Sequence, residues 1–140
     1  MKTMIDVLPD YLPKSMHYLI TIISLKSLLI LIKSRGGTRE SIPNTAKSEH
    51  WLADLIGMDD FKKLAALYGG GMMDIPRCVK LLNLIRDIEI LQDRRTRMPI
   101  KQLSLKHGMT ERGISKALRR IEPYERQPWL KEIQASMAYH

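Results

Sequence analysis

The sequence predicts a mainly α-helical fold with one or two short β-strands. Three observations support this prediction. A helical segment that ends in glycines occurs twice, a long amphipathic run follows the second occurrence, and a glycine then separates two shorter helical runs. The chain has 140 residues, of which 44% are hydrophobic, which is enough to bury a core in one ordinary domain or two small ones.

The repeated segment comprises residues 19–43 and 52–76, which align with an offset of 33 residues (52 − 19). Each copy contains a short helical run, a break, a longer helical run, two glycines, a few extended residues and an Ile-Pro pair. Glycine permits the left-handed backbone that often ends a helix, and proline stops a strand. Each copy therefore predicts two helices and a strand; in the second copy the glycines are Gly69 and Gly70, and the strand residues are Met72, Met73, Asp74 and Ile75.

A strand of four residues needs a neighbour that satisfies its backbone amides. The sequence leaves two partners open, because the two copies could pair within one chain or a copy could pair with its equivalent in a second subunit. We favour the second arrangement, in which the glycines reverse the chain and residues 72–75 help to build a homodimer. Residues 1–76 are accordingly predicted to form an N-terminal dimerisation region.

Residues 77–97 are predicted to form a connecting helix, because apolar side chains recur there at three- and four-residue spacing. Residues 98–126 are predicted to form a helix-turn-helix, in which Gly108 makes the turn and Thr110 caps the second helix. Residues 127–140 would then be a C-terminal tail. The fold is thus expected to be a helical dimerisation region followed by a C-terminal helix-turn-helix.

The positive charge is confined to one part of the chain. The formal net charge is +8 with a pI near 9.7, and residues 77–120 contain twelve Lys or Arg against four Asp or Glu, a net of +8 (12 − 4). A single segment that carries the whole excess is typical of a surface that binds a polyanion. We therefore expect double-stranded DNA as the partner.

The second helix of the predicted helix-turn-helix is amphipathic. Apolar residues occupy one face, and the opposite face carries the residues that we expect to contact base edges in the major groove: Arg112, Ser115, Lys116 and Arg119. Thr110 and Glu111 lie at the start of this helix, which usually enters the groove first. The expected phosphate contacts are Gln102, Lys106 and Arg120.

The sequence lacks the usual signs of a catalytic, metal or membrane protein. It has one cysteine, its four histidines have no metal-ligand spacing, and its glycine triplet lacks the lysine and hydroxyl of a phosphate-binding loop. The most apolar run, residues 18–32, is interrupted by Lys26 and is shorter than a membrane-spanning helix. We expect a cytoplasmic protein with no cofactor and no enzymatic activity.

Three stretches, GGGMMDIPR, LIRDIEI and LSLKHGMTERGISKALRRI, resemble the Mor family of phage transcription activators, which includes middle and late gene activators of Mu-like phages. The resemblance covers residues 52–121 and implies a homodimer, a strand preceded by glycines, and a C-terminal helix-turn-helix. It also implies binding to an imperfect dyad upstream of a phage promoter and assistance to host RNA polymerase. The sequence departs from the family pattern at Asp74, where an aromatic residue is common, and in the duplicated first copy.

The expected function is therefore sequence-specific activation of phage genes in the bacterial host cell. Two alternatives stay open at the level of the sequence. One is a DNA-binding repressor, and the other is the accessory DNA-binding domain of a recombination system.

Overall fold

The computed structural model describes residues 1–137. The predicted mainly α-helical fold with short strands is confirmed. Short 3₁₀ turns at Leu8–Tyr11, Lys14–Met16, Leu19–Thr21 and Glu122–Tyr124 accompany the longer elements. These elements, in chain order, are α1 (Met4–Val7), α2 (Leu25–Arg35), β1 (Thr38–Ser41), α3 (Trp51–Ile56), α4 (Met58–Tyr68), β2 (Met72–Ile75), α5 (Val79–Arg95), α6 (Ile100–His107), α7 (Glu111–Ile121) and α8 (Pro128–Met137).

The two predicted copies of the repeat have the same architecture. Helices α2 and α4 are both 11 residues long, and each ends at a glycine that precedes a four-residue strand. The first copy differs in its short helix, which is a 3₁₀ turn at Leu19–Thr21 where the second copy has α3. Residues 20–23 are all β-branched, and such side chains lower the propensity for an α-helix.

Strands β1 and β2 pair with each other within one chain. The ribbon is antiparallel, with Thr38 opposite Ile75 and Ser41 opposite Met72. This is the intrachain alternative, and the pairing of Met72–Ile75 with a second subunit, which we favoured, is not the one in this structure. Two strands of the same chain can satisfy each other's amides without the entropy cost of association.

The predicted C-terminal tail contains a helix that closes the core. Helix α8 packs against α1 and α2, and its Trp129, Leu130, Ile133 and Met137 are buried. Residues 138–140 of that predicted tail lie outside the described residues. No helix within residues 1–137 has the length and apolar character needed to cross a bilayer.

Candidate nucleic-acid interface

Helices α5, α6 and α7 pack against one another, and α6 and α7 occupy the segment for which the sequence predicted a helix-turn-helix. Gly108 ends α6 in the left-handed conformation, with a φ of 61°. The hydroxyl of Thr110 then accepts a hydrogen bond from the backbone N–H of Gly113 at 3.0 Å, which caps α7. The turn at Gly108 and the cap at Thr110 are both as predicted.

Helix α7 has one apolar face and one cationic face. The apolar residues Ile114, Ala117, Leu118 and Ile121 are buried against the rest of the molecule. On the opposite side, Arg112, Lys116 and Arg119 are exposed, and none of them forms an ion pair within residues 1–137. We call these three residues the reading face. Exposed cations that form no ion pair within the described residues are available to a polyanion.

The other predicted contacts on α7 lie around this face. Glu111 is exposed in the first turn of the helix, and Ser115 is half-buried at one edge of the reading face. Thr110 is exposed, but its side chain is occupied as the cap. On α6, Gln102 is exposed.

Arg120 is held by a carboxylate of the supporting helix. Its Nε lies 3.1 Å from Oδ2 of Asp87, and its Nη2 lies 3.3 Å from Oδ1. Asp87 is only 6% exposed, so its charge needs this partner. The hydrogen bonds to Asp87 raise the pKa of Arg120. Arg120 thus fixes α7 against α5, and its phosphate contact stays a prediction.

Lys106 is also paired. Its Nζ lies 2.9 Å from Oδ2 of Asp93, and Nε2 of His107 lies 2.9 Å from the same oxygen. Partial burial disfavours the charged form of Asp93, but the hydrogen bonds from Lys106 and His107 outweigh it, and the pKa of Asp93 lies below its ordinary value. The expected phosphate contact at Lys106 is therefore part of an ion cluster that joins α5 to α6.

The end of α5 is connected to the segment that follows α7. Arg95 binds Glu125 in a bidentate pair, with Nη2 at 2.6 Å from Oε1, and this bond lowers the pKa of Glu125. Arg94 donates from Nη1 to the carbonyl oxygen of Met98 at 2.9 Å. These two arginines support the fold of the region around α6 and α7.

Sequence reasoning missed two exposed residues of α6. Lys101 is an exposed cation in the first turn of the helix, and Leu105 is 78% exposed. Leu103, in contrast, is buried. Residues two apart on an α-helix differ by about 200°, so this spacing already indicated that only one of them could face the core.

Within residues 1–137, no group of three or more His, Cys, Asp or Glu side chains is arranged to hold a metal ion.

The sequence model of the Mor transcription activator family matches residues 38–130, which is more than half of the chain. The chain belongs to the Mor transcription activator family. The match begins at β1 and extends into α8, so it includes both strands and helices α5, α6 and α7 of this Mor-family chain, while residues 1–37 precede it. Neither a curated protein nor a solved structure is significantly similar to the chain.

Proposed function

We propose that this Mor-family chain activates transcription of phage genes by reading a specific DNA sequence with α7. The observation that carries the proposal is the reading face, in which Arg112, Lys116 and Arg119 are exposed and unpaired within residues 1–137. An α-helix fits the major groove, where Arg and Lys donate to O6 and N7 of guanine. Membership of a transcription activator family also supports DNA binding by this face.

The proposed roles differ between the helices. The reading face and Ser115 would contact base edges, and Thr110 and Glu111 would enter the groove at the start of α7. Gln102 would contact phosphates together with Arg97 and Lys101, which are exposed beside it. Lys106 and Arg120 would act mainly by holding α6 and α7 in place, since both are paired with carboxylates of α5.

The finer features of the proposal follow from the family. The binding element would be an imperfect dyad upstream of a middle or late phage promoter, with one chain on each half. The bound protein would assist host RNA polymerase at that promoter. The proposal requires no cofactor.

The test has two stages. The protein is first used to select sequences from a random duplex library, and the enriched sequence is then placed upstream of a promoter for transcription in vitro with the bacterial RNA polymerase. We expect an enriched sequence and more transcript in the presence of the protein. An Arg112→Ala, Arg119→Ala double variant is the control and should lose both effects while its circular dichroism spectrum is unchanged.

Each other outcome rejects part of the proposal. A library in which no sequence is enriched would reject sequence-specific binding. Reduced transcription from the enriched site would indicate a repressor. Binding that leaves transcription unchanged but promotes DNA rearrangement by a separate recombinase would indicate the accessory role.

A further inference from the structure

The two copies of the repeat contact each other reciprocally. The backbone N–H of Gly37 donates to the carbonyl oxygen of Ile75 at 2.6 Å, and that of Gly70 donates to the carbonyl oxygen of Ile42 at 2.9 Å. The offset of 33 converts the first bond into the second, because 37 + 33 is 70 and 75 − 33 is 42. Each copy therefore donates one backbone hydrogen bond to the other copy and accepts the equivalent bond from it.

The close backbone approach at the glycines has the same reciprocity. A Cβ atom added to Gly36 would lie 3.3 Å from Cα of Arg77 and 3.4 Å from the carbonyl oxygen of Pro76. At the equivalent Gly69, it would lie 3.1 Å from both Cα of Asn44 and the carbonyl oxygen of Pro43. The glycine of each copy thus packs against the residues that follow the strand of the other copy.

The strand register contains the centre of this symmetry. Glu40 pairs with Met73, which is its own equivalent in the other copy (40 + 33). In a symmetric dimer interface, the residue on the two-fold axis meets its own copy in the second subunit, and all other contacts occur twice. The ribbon and its glycines have this arrangement, but both halves belong to one chain.

The symmetry does not extend to the DNA-reading helices. After the strand of the second copy, the chain continues into α5 and the helix-turn-helix, whereas after the first copy it continues to α3. The family match begins at residue 38, so helix α2 of the first copy lies outside the matched segment. The two halves of the symmetric unit therefore carry one reading face in residues 1–137.

We infer that residues 19–43 act as a built-in partner for residues 52–76, so that one chain is a complete DNA-binding unit with a single reading face. We call these two copies together the platform. The part of this inference that concerns DNA rests on the proposed function. A free chain would be a monomer that recognises one half-site, and two chains would occupy the two halves of a dyad independently.

The first experiment tests the intrachain ribbon by cross-linking. Arg39 and Asp74 are opposite each other on the exposed side of the ribbon, with Nε of Arg39 at 3.6 Å from Oδ1 of Asp74. Directly opposed residues on antiparallel strands have the Cβ separation that a disulfide can bridge. The variant is Arg39→Cys combined with Asp74→Cys in the full chain, and each single variant is a control for chance collisions between chains.

After mild oxidation of the double variant, we expect a product with the mass of one chain in which only Cys78 reacts with an alkylating reagent under denaturing conditions. A covalent dimer formed by the double variant and not by the single variants would overturn the inference. Three reactive thiols per chain after oxidation would overturn it as well, because the two strands would not then be paired.

The second experiment measures stoichiometry. In sedimentation equilibrium at micromolar concentration, the wild-type chain should have a mass near 16.2 kDa, and twice that mass would overturn the inference. On a half-site duplex, fluorescence anisotropy should give one chain per duplex and an affinity within about twofold of that for each half of a dyad, as expected for independent sites. Half-site affinity that is tenfold weaker, with cooperative binding to the dyad, would also overturn it.

The two proposals fail in different ways. If the protein is a monomer with an intrachain cross-link but selects no DNA sequence, the proposed function is rejected and the built-in partner stands. If it selects DNA as a stable two-chain complex, the proposed function stands and the built-in partner is rejected.

Discussion

The platform and the group of helices α5–α7 are stabilised in different ways. In the platform, the two copies meet through backbone hydrogen bonds, and the hydroxyl of Ser27 in one copy donates to Asp60 in the other. Phe61, Leu64 and Ile75 of the platform are buried. Among α5, α6 and α7, ion pairs at Asp87 and Asp93 of α5 hold the helices, while the reading face forms no ion pair within residues 1–137. The comparison separates cations that maintain the fold from cations that are free to bind, although both kinds occur side by side on α7.

Salt should affect the two regions very differently. If the reading face and its neighbours make six or more phosphate contacts, the affinity for the selected DNA should fall about a thousandfold or more between 50 and 200 mM salt. The platform relies on apolar burial, so the free energy of unfolding should change little over the same range. Fluorescence anisotropy and urea denaturation, each at both salt concentrations, provide the measurements. If the affinity for DNA hardly changed with salt concentration, the proposed phosphate contacts of the reading face and its neighbours would be contradicted.

Adjacent arginines of α7 should give opposite results. Arg119→Ala should weaken binding to the selected site by about 1 to 3 kcal/mol and relax the preference at one base position, with no change in stability. Arg120→Ala removes both hydrogen bonds that Arg120 donates to the buried Asp87 and leaves Arg86, at 3.9 Å, as the remaining ion-pair partner, so it should lower the free energy of unfolding by about 1 to 3 kcal/mol. Urea denaturation and a binding selection with each variant make the comparison. Equal loss of stability in both variants would contradict the assignment of Arg119 to DNA contact and of Arg120 to the contact between α7 and α5.

The glycines of the platform should be equally sensitive in both copies. Gly37 and Gly70 have φ values of 88° and 83°, so Gly37→Val and Gly70→Val should each cost about 1 to 3 kcal/mol of stability. Gly71 lacks a positive φ, and an added Cβ would meet its nearest atom at 3.5 Å, so Gly71→Ala is a matched control with little effect. Thermal denaturation measures all three variants. A large effect at only one of the two valine sites would argue against a symmetric platform.

Acid should weaken the contact between α5 and α6. Because the pKa of Asp93 is lowered in the folded protein, its contribution is fully present above its ordinary pKa of about 3.9 and is lost as the pH falls through the lower folded value. Asp93→Asn should therefore lose less stability than the wild type between about pH 4 and pH 2, by less than about 1 kcal/mol. Urea denaturation at several pH values provides the measurement. If the free energy of unfolding changed with pH in the same way for both proteins, the ionised Asp93 would not stabilise the contact between α5 and α6.

Local signals predicted much of the fold. The glycine and proline pairs of the repeat, Gly108 and Thr110 act within a few residues of their own positions, and the helices and turns that they predict are present. The burial of one face of α7 also followed from periodicity, since each residue of a helix is fixed relative to its neighbours. The exposure of Arg112, Lys116 and Arg119 on the opposite face was predicted for the same reason.

Pairings between distant residues were not predictable in this way. Arg120 and Asp87 are 33 residues apart, and Lys106 and Asp93 lie on different helices, so neither ion pair leaves a periodic signal in the sequence. The partner of β2, which is β1, could not be predicted either. The backbone amides of a strand require a neighbouring strand, but this requirement does not specify which one. Helix α8 was missed because its apolar residues pack against α1 and α2, which are more than 90 positions (128 − 35) earlier in the sequence.

The contact between α8 and the first helices has a consequence for biosynthesis. Among the described elements α8 leaves the ribosome last, yet it packs on α1 and α2, which leave it first. The backbone N–H of Met4 even donates to Oε1 of Glu132, at 3.2 Å. The apolar surface that α8 covers therefore stays open while every other described element is being made, so a chain interrupted before Pro128 would carry its reading helix on an unfinished core.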